Sequence, residues 1–531
     1  MSVPLLLATA VVGIICARII RRHISSPTRY LPGPSRGRHL LLGSYIELWA
    51  YKDGPTICMD KWFERYGSVL KFPATLGTDR IMTIDPKALH HILAHDELYQ
   101  KPEASRFNLA KTVGPGLVIT EGAHHRLQRR IMNPAFGATA VQSVIDIIVE
   151  KSIKLRDVWR REIDAAGEVA RINVLHGLSN ATLDAIGKAG FGYEINALDT
   201  TDSNLDRLLV SFNTLFDVQH RSRAFLLLQN WVPLLRVLPT GREKAVRNAK
   251  GTLDDIGSRL LARAKAYMLR KKKARSDDTP RDLFFLIVRT NMRSSPNRRM
   301  SDEDILAQVP AFIAGGYETT STATSWALFQ LSQNPELQTR LRDDLRTLDT
   351  DEPSTDDLNS LPYLDAFVKE VLRFYPSFTW SAREAQQDDV IPLEAPFVDT
   401  SGRVCHEFRV RKGQVFLIPI HSVNRSKAIW GEDANEFKPE RWDCLPETVK
   451  SMPGIWGNTL TFFAGSHACI GYRFALIEIK SLLFFLVRQF EFGLAVPVHD
   501  VQIQVSLVQR PVLKSEPNVA SQLPMFVRHA R

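Results

Sequence analysis

The sequence predicts a predominantly α-helical fold with minor β structure, an α+β chain, on three observations. Capped stretches with helical apolar spacing recur from about residue 123 onward, whereas runs with strand character are few and short. The 531 residues are 44% apolar and 24% charged, enough to bury a large core, which excludes disorder, collagen and a polytopic membrane protein. No internal repeat or linker divides residues 41–531, so they read as a single large body behind an N-terminal segment, 1–24, and a proline-rich hinge, 25–40.

Taken in order, residues 3–17 are all apolar or small, and Ile19 and Ile20 extend the run past Arg18. As a helix the run is about 27 Å long, barely enough to span a bilayer. A cleaved signal peptide wants its positive charge before the run, but here Arg18, Arg21, Arg22 and His23 come at its end and after it. The expectation is an uncleaved single-pass transmembrane anchor with the body on the cytoplasmic side. Leu31-Pro32-Gly33-Pro34 then breaks any helix and stiffens the hinge. Residues 69–85 alternate around Gly77-Thr78-Asp79 as a hairpin does, and residues 414–420 read as a buried strand. Two charged stretches, 271–281 and 349–357, read as solvated loops.

A net charge of +10 without any dense basic run interleaved with aromatics argues against nucleic acid. It suits acidic lipid headgroups or an acidic protein partner. The five cysteines, Cys16, Cys58, Cys405, Cys444 and Cys469, form no CxxC pair, so neither structural zinc nor a disulfide framework is expected and the body belongs in a reducing compartment. There the sequons at Asn180 and Asn424 are chance matches.

Three helical segments carry candidate chemistry. The first starts at Ser301, with Asp304 completing a capping box, and is expected to run unbroken to Asn334. Its middle, Ala314-Gly315-Gly316-Tyr317-Glu318-Thr319-Thr320, holds two glycines that cost a helix roughly 1 kcal/mol each against alanine. They mark either close helix packing or a locally opened helix with a ligand against the backbone. The second runs from Pro362 to Tyr375 and puts Glu370 and Arg373 on one face, with apolar neighbours that imply burial. The third is Phe462-Phe463-Ala464-Gly465-Ser466-His467-Ala468-Cys469-Ile470-Gly471, followed by an amphipathic helix from about Ile470 to Gln489. A lone cysteine is usually a small core hydrophobe. This one sits at a helix start, where N–H groups stabilise a thiolate, and glycines on either side let a flat macrocycle approach.

That third stretch resembles the haem-binding loop, FxxGxRxCxG, of cytochrome P-450 haem-thiolate monooxygenases of the microsomal, fungal type. Phe462, Gly465, Cys469 and Gly471 fit, and His467 stands where arginine is usual. AGGYETT is similar to the family's oxygen-activation motif, Glu370 and Arg373 to its ExxR pair, and Phe437-Lys438-Pro439-Glu440-Arg441-Trp442 to the segment that completes a triad through Arg441. Residues 122–136 resemble its WxxxR helix, with His125 in the tryptophan position and Arg129 kept. The likeness covers about residues 31–511 in order.

The resemblance implies haem b with Cys469 as the axial thiolate of its iron, a ligand whose electron push favours O–O cleavage. It implies Glu318 and Thr319 as the acid and alcohol that organise protons and water. Arg129 and Arg383 suit the haem propionates, with His125, Phe462, Gly465, His467 and Gly471 completing the cofactor site. Glu370, Arg373 and Arg441 form a structural triad. Because His467 replaces an always-charged arginine, haem affinity is expected to depend on pH. Implied partners are an NADPH–cytochrome reductase, with cytochrome b5 as a further donor, membrane lipid and a lipophilic substrate at the endoplasmic reticulum.

Two other readings were weighed. A non-oxygenating member that rearranges peroxides or dehydrates often lacks the acid–threonine pair kept here, and a non-catalytic haem- or lipid-binding membrane protein would need neither Thr319 nor a partner surface. By family analogy Phe107, Phe212, Phe216, Phe378, Trp380 and Leu507 contribute to an apolar pocket. Terpenoid, fatty acyl and polycyclic aromatic or xenobiotic substrates, and biosynthetic or detoxifying roles, all remain open.

Overall fold

Strands Val69–Pro73 and Asp79–Thr83 pair antiparallel, Val69 opposite Thr83, forming the hairpin that residues 69–85 predict. Asp79–Thr83 also takes Val415–Ile418 in parallel, with Arg80 opposite Val415. The sheet continues antiparallel through Ser381–Ala385 to Tyr99–Gln100. Val415–Ile418 has neighbours on both edges, and the short unbroken run VFLI is what a buried central strand requires. The chain leaves the hairpin at Asp85, whose Oδ1 accepts from Ala88 N at 3.0 Å, and Pro86 opens the helix Pro86–Ala94.

The computed structural model describes residues 26–35, 42–51, 54–75, 78–199, 243–271, 280–505 and 508–531. The expected anchor 1–24, residues 25 and 36–40 of the hinge, and pocket candidates Phe212, Phe216 and Leu507 lie outside them. Among the described residues no helix is long and apolar enough to cross a membrane.

The chain forms two compact units. The first comprises Met1–Pro102, Phe378–Phe437 and Asp443–Ala468 and holds the five-stranded sheet. The second comprises Glu103–Ser377, Lys438–Trp442 and Cys469–Arg531 and holds most of the helices. Its long helix, Gln308–Gln333, is buried along most of its length, including Phe312, Trp326 and Leu328. A helix apolar or small on every side belongs in a core. A three-stranded sheet, Val169–Asn173, Pro524–His529 and Phe490–Leu494, and a hairpin, Val501–Val505 with Gln509–Leu513, complete this unit.

Several expectations change in detail. The helix expected unbroken from Ser301 to Asn334 is two, Asp302–Leu306 and Gln308–Gln333, the second of 26 residues. The cause is Pro310, which has no N–H for the Leu306 carbonyl and crowds it. The capping box itself forms: Ser301 Oγ accepts from Asp304 N at 3.1 Å, and Asp304 Oδ2 from Ser301 N at 3.3 Å. The solvated stretch 349–357 ends in a short helix, Thr355–Ser360, because Ser354 and Asp357 form a second capping box. The last long helix begins at Tyr472 rather than Ile470, since Gly471, at φ −90° and ψ 12°, is still outside helical geometry. Of the charged stretch 271–281, Lys271 ends the helix Glu243–Lys271, and 272–279 lie outside the described residues. Asn424 is fully buried, its amide donating to Thr461 Oγ1 and accepting from Leu460 N, so the folded chain offers no room for a glycan there.

Candidate active site

In the second unit, Cys469 lies just ahead of the helix Tyr472–Gln489 and is exposed, whereas Cys58 of the first unit is buried and its thiol is pushed up to about 12. The protein around the Cys469 sulfur also pushes its thiol up, but the Gly471 N–H and the Arg129 guanidinium pull the other way. An exposed thiol with an N–H and a cation beside it is arranged to become a thiolate once a metal ion arrives. Arg129 stands on the helix Gly122–Met132, with Nε donating to Asn133 Oδ1 at 2.9 Å. His125, one turn earlier on the same face, is buried.

The long helix stays α-helical through its two glycines, so the opened-helix reading does not hold. The glycines serve different ends. A Cβ on Gly316 would come within 2.5 Å of Ile186 Cγ1, so Gly316 allows close packing against the turn Ile186–Gly190. Among the described residues a Cβ on Gly315 would meet nothing within 4 Å, so the helix there faces a space that they leave open. Thr319 Oγ1 donates to the Gly315 carbonyl at 2.6 Å, the usual rest position of a helical threonine. Glu318 is buried, and burial pushes its carboxyl above the ordinary value while Arg510 pulls against that shift.

Glu370, Arg373 and Arg441 meet, all buried. Arg373 Nε and Nη2 reach Glu370 at 2.9 and 2.8 Å, Arg441 Nε at 2.9 Å, Lys438 N at 2.8 Å and Trp442 Nε1 at 3.1 Å.

In the first unit the loop 462–468 is shaped by backbone geometry. Gly465 has φ +67°, and a Cβ there would lie 2.1 Å from the Leu93 carbonyl oxygen, so only glycine fits. Ser466 Oγ donates to Asp96 at 2.7 Å, and Phe462 is buried. Arg383, also buried, lies 4.7 Å from the Phe463 ring centroid and donates to Ser381 Oγ and the Ala382 carbonyl. Lys101 Nζ is 3.0 Å from His467 Nδ1; an ammonium has only protons to give, so that ring nitrogen accepts.

Lys101, Trp442 and Arg510 were missed in the sequence. Lys101 and Arg510 reach their partners across 366 and 192 residues and belong to no motif. Trp442 follows Arg441 directly, but an indole offers no spacing signal of its role as a donor.

A largely helical chain with one exposed cysteine at a helix start, an arginine beside it, and an acid–alcohol pair next to open space on a buried helix has the form of a thiolate-ligated oxidoreductase. The family model described as Cytochrome P450 matches residues 32–515. Cytochrome P450 monooxygenase 205 of Postia placenta is 44% identical over 514 residues, covering 95% of this chain and 93% of its own length. Cytochrome P450 monooxygenase 128 of the same fungus is 43% identical, covering 97% and 95%. Cytochrome P450 monooxygenase claQ of Ampulloclitocybe clavipes is 33% identical, covering 90% and 89%. The chain belongs to the cytochrome P450 family and is a monooxygenase, with a redox partner and a small-molecule substrate. Its cofactor is haem b, held through an axial cysteine thiolate. The residues present in the second unit fit that group: an exposed cysteine, the Arg129 guanidinium beside it, and a glycine that leaves the helix face open among the described residues.

Proposed function

We propose that this chain inserts one atom of O2 into a lipophilic small molecule, with Cys469 as the axial ligand and NADPH electrons delivered by a membrane reductase. The observation that carries the reading is Cys469: exposed, at a helix start, with the Gly471 N–H and Arg129 beside its sulfur. When bound, the haem supplies the oxygen chemistry that side chains lack.

The chain's own residues bind, orient and move protons. Arg129, Arg383, His125 and His467 are the residues that would hold the two propionates through charge-assisted hydrogen bonds. Gly465 and Gly471 would leave room for the haem beside the backbone, and Phe462 would back the loop. Thr319 leaves its rest bond to Gly315 and passes a proton at Oγ1, with Glu318 resupplying it. The triad at Glu370 supports the fold behind the site. Phe136 and Phe312, 5.2 Å apart edge to face, and Phe378, 39% exposed, favour an apolar substrate. Arg126 and Arg130 are exposed on the Arg129 helix, a basic face suited to an acidic reductase or cytochrome b5. The apolar run 3–20 with its trailing charges supports a single-pass anchor in the endoplasmic reticulum membrane, the body cytoplasmic.

The test is Cys469→Ser. The variant is expected to lose both the thiolate-type CO spectrum and all reductase-driven product, since a hydroxyl cannot replace the thiolate push. Turnover retained in that variant overturns the reading.

A further inference from the structure

Glu318 is not solitary on its helix. Its Oε1 accepts from Arg510 Nε at 2.9 Å and lies 2.5 Å from Arg510 Nη2. The glutamate side chain is 5% exposed and the arginine 27%, so the pair sits at the inner edge of the protein and not on a solvated face. Both contacts converge on Oε1, and neither falls on Oε2.

Arg510 is held in place by a closed frame. It lies in the strand Gln509–Leu513, opposite Gln504. Its neighbour Gln509 donates from the backbone N to the Ser377 carbonyl at 3.0 Å and from its side chain to the Pro376 carbonyl at 2.6 Å. The Gln509 carbonyl accepts from Trp326 Nε1 at 3.2 Å, about two turns along the same long helix as Glu318. Ser377 Oγ in turn donates to the Thr319 carbonyl at 3.3 Å. Helix, loop and strand are therefore stitched together on both sides of the Glu318–Arg510 contact. An arginine braced in this way is placed for its partner.

We propose that Arg510 is a positioning residue for Glu318: it holds the carboxylate on the strand side of the long helix and ionised, so that proton delivery toward Thr319 requires this ion pair to open. The proposal rests on the proton-relay reading of Glu318 and Thr319 given above. In each cycle Glu318 Oε2 takes one proton from water and passes one on, and the carboxylate that results returns to Arg510. Without the guanidinium, burial alone governs the carboxyl, which would then retain its proton rather than release it.

The experiment uses the full-length, haem-loaded chain with a reductase and four variants: Arg510→Gln, Arg510→Lys, Glu318→Gln and Glu318→Gln/Arg510→Gln. Product per NADPH and its solvent deuterium isotope effect are measured alongside infrared spectra of the resting protein. Arg510→Gln is expected to lower product per NADPH by roughly ten- to a hundredfold. It is also expected to raise the isotope effect and to add a carboxylic-acid band that the double variant lacks. Arg510→Lys should recover most of the yield, and the double variant should be no worse than Glu318→Gln alone. An unchanged yield in Arg510→Gln, a band surviving in the double variant, or losses that add in full overturns the proposal. If Arg510→Gln takes up no haem, Arg510→Met, which keeps the bulk and drops the charge, decides: a yield and isotope effect equal to those of the unaltered chain overturn the proposal, and a lowered yield with a raised isotope effect supports it. Loss of the thiolate CO spectrum in the unaltered chain would sink the underlying reading and this inference together, whereas the other outcomes bear on Arg510 alone.

Discussion

Glu370 and Glu318 are both buried glutamates that face guanidinium groups in the second unit, and their surroundings differ in kind. Glu370 accepts from the buried Arg373 and Arg441, from the half-buried Trp442 indole and from the Lys438 backbone. Among the described residues Glu318 has one arginine, engaged through one oxygen, beside a turn that they leave open. A carboxylate saturated with donors has nothing left to exchange and serves to join segments distant in sequence. One held by a single partner at an opening keeps an atom free for chemistry. Burial is common to both, so it is the count and placement of donors that separates a structural ion cluster from a working acid.

The largest effect expected from this contrast is at Glu370. Glu370→Gln removes the charge that two buried guanidiniums share, and stranding buried charges costs about 3–5 kcal/mol. The variant should be expressed largely without haem, with a correspondingly lowered urea midpoint where soluble protein is obtained. Glu318→Gln, by contrast, should take up haem normally, because a single partly exposed arginine is left behind. Equal losses at the two positions would break the comparison.

The two sites were legible in the sequence to different degrees. The i, i+3 spacing of Glu370 and Arg373 and their apolar flanks are local, so the helix and its buried face can be read directly. The arrival of Arg441 was implied by family resemblance alone, and Trp442 not at all, because contacts some 70 residues apart leave no periodic trace. Arg510 lies 192 residues from Glu318 on a short strand whose alternation says only which face it takes. Local signals were sometimes present and overlooked. Pro310 sits where it must interrupt the long helix, and Ser354 with Asp357 spells a capping box inside a stretch that charge alone marked as loop. Capping and proline rules act within four residues and are readable. Donor placement around a buried acid is a property of packing and is not.

A smaller effect separates the sites by pH. The folded Glu318 carboxyl is raised above its ordinary value, so between that ordinary value and the raised one the native state binds more protons than the unfolded chain. Stability must then fall as pH rises through this window, by up to about 1.4 kcal/mol per pH unit. Glu318→Gln should lack that slope, and Arg510→Gln should extend it to higher pH. Unfolding midpoints compared over about pH 4 to pH 8 check this. Identical pH profiles for the unaltered chain and Glu318→Gln would show that Glu318 titrates alike in both states.

The smallest effect is expected at a third buried glutamate, which takes the comparison to its limit. Glu478, on the helix Tyr472–Gln489, is 1% exposed, and neither of its carboxyl oxygens has a hydrogen-bond partner among the described residues. Burial pushes the Glu478 carboxyl well above the ordinary range, and the neighbouring Thr320 hydroxyl pulls only the other way. An ionised carboxylate without a cation would be far too costly in that place, so the group is expected to keep its proton. Replacing a neutral acid by a neutral amide of nearly the same shape changes neither charge nor volume. Glu478→Gln should therefore shift stability by no more than about 1 kcal/mol, with haem content unchanged. Cations facing the three glutamates among the described residues thus run from two arginines, to one, to none, and the cost of neutralising each should fall in that order. Thermal midpoints of Glu370→Gln, Glu318→Gln and Glu478→Gln measured side by side test the ordering. A loss at Glu478 as large as that at Glu370 would mean that it is ionised and paired in the folded chain.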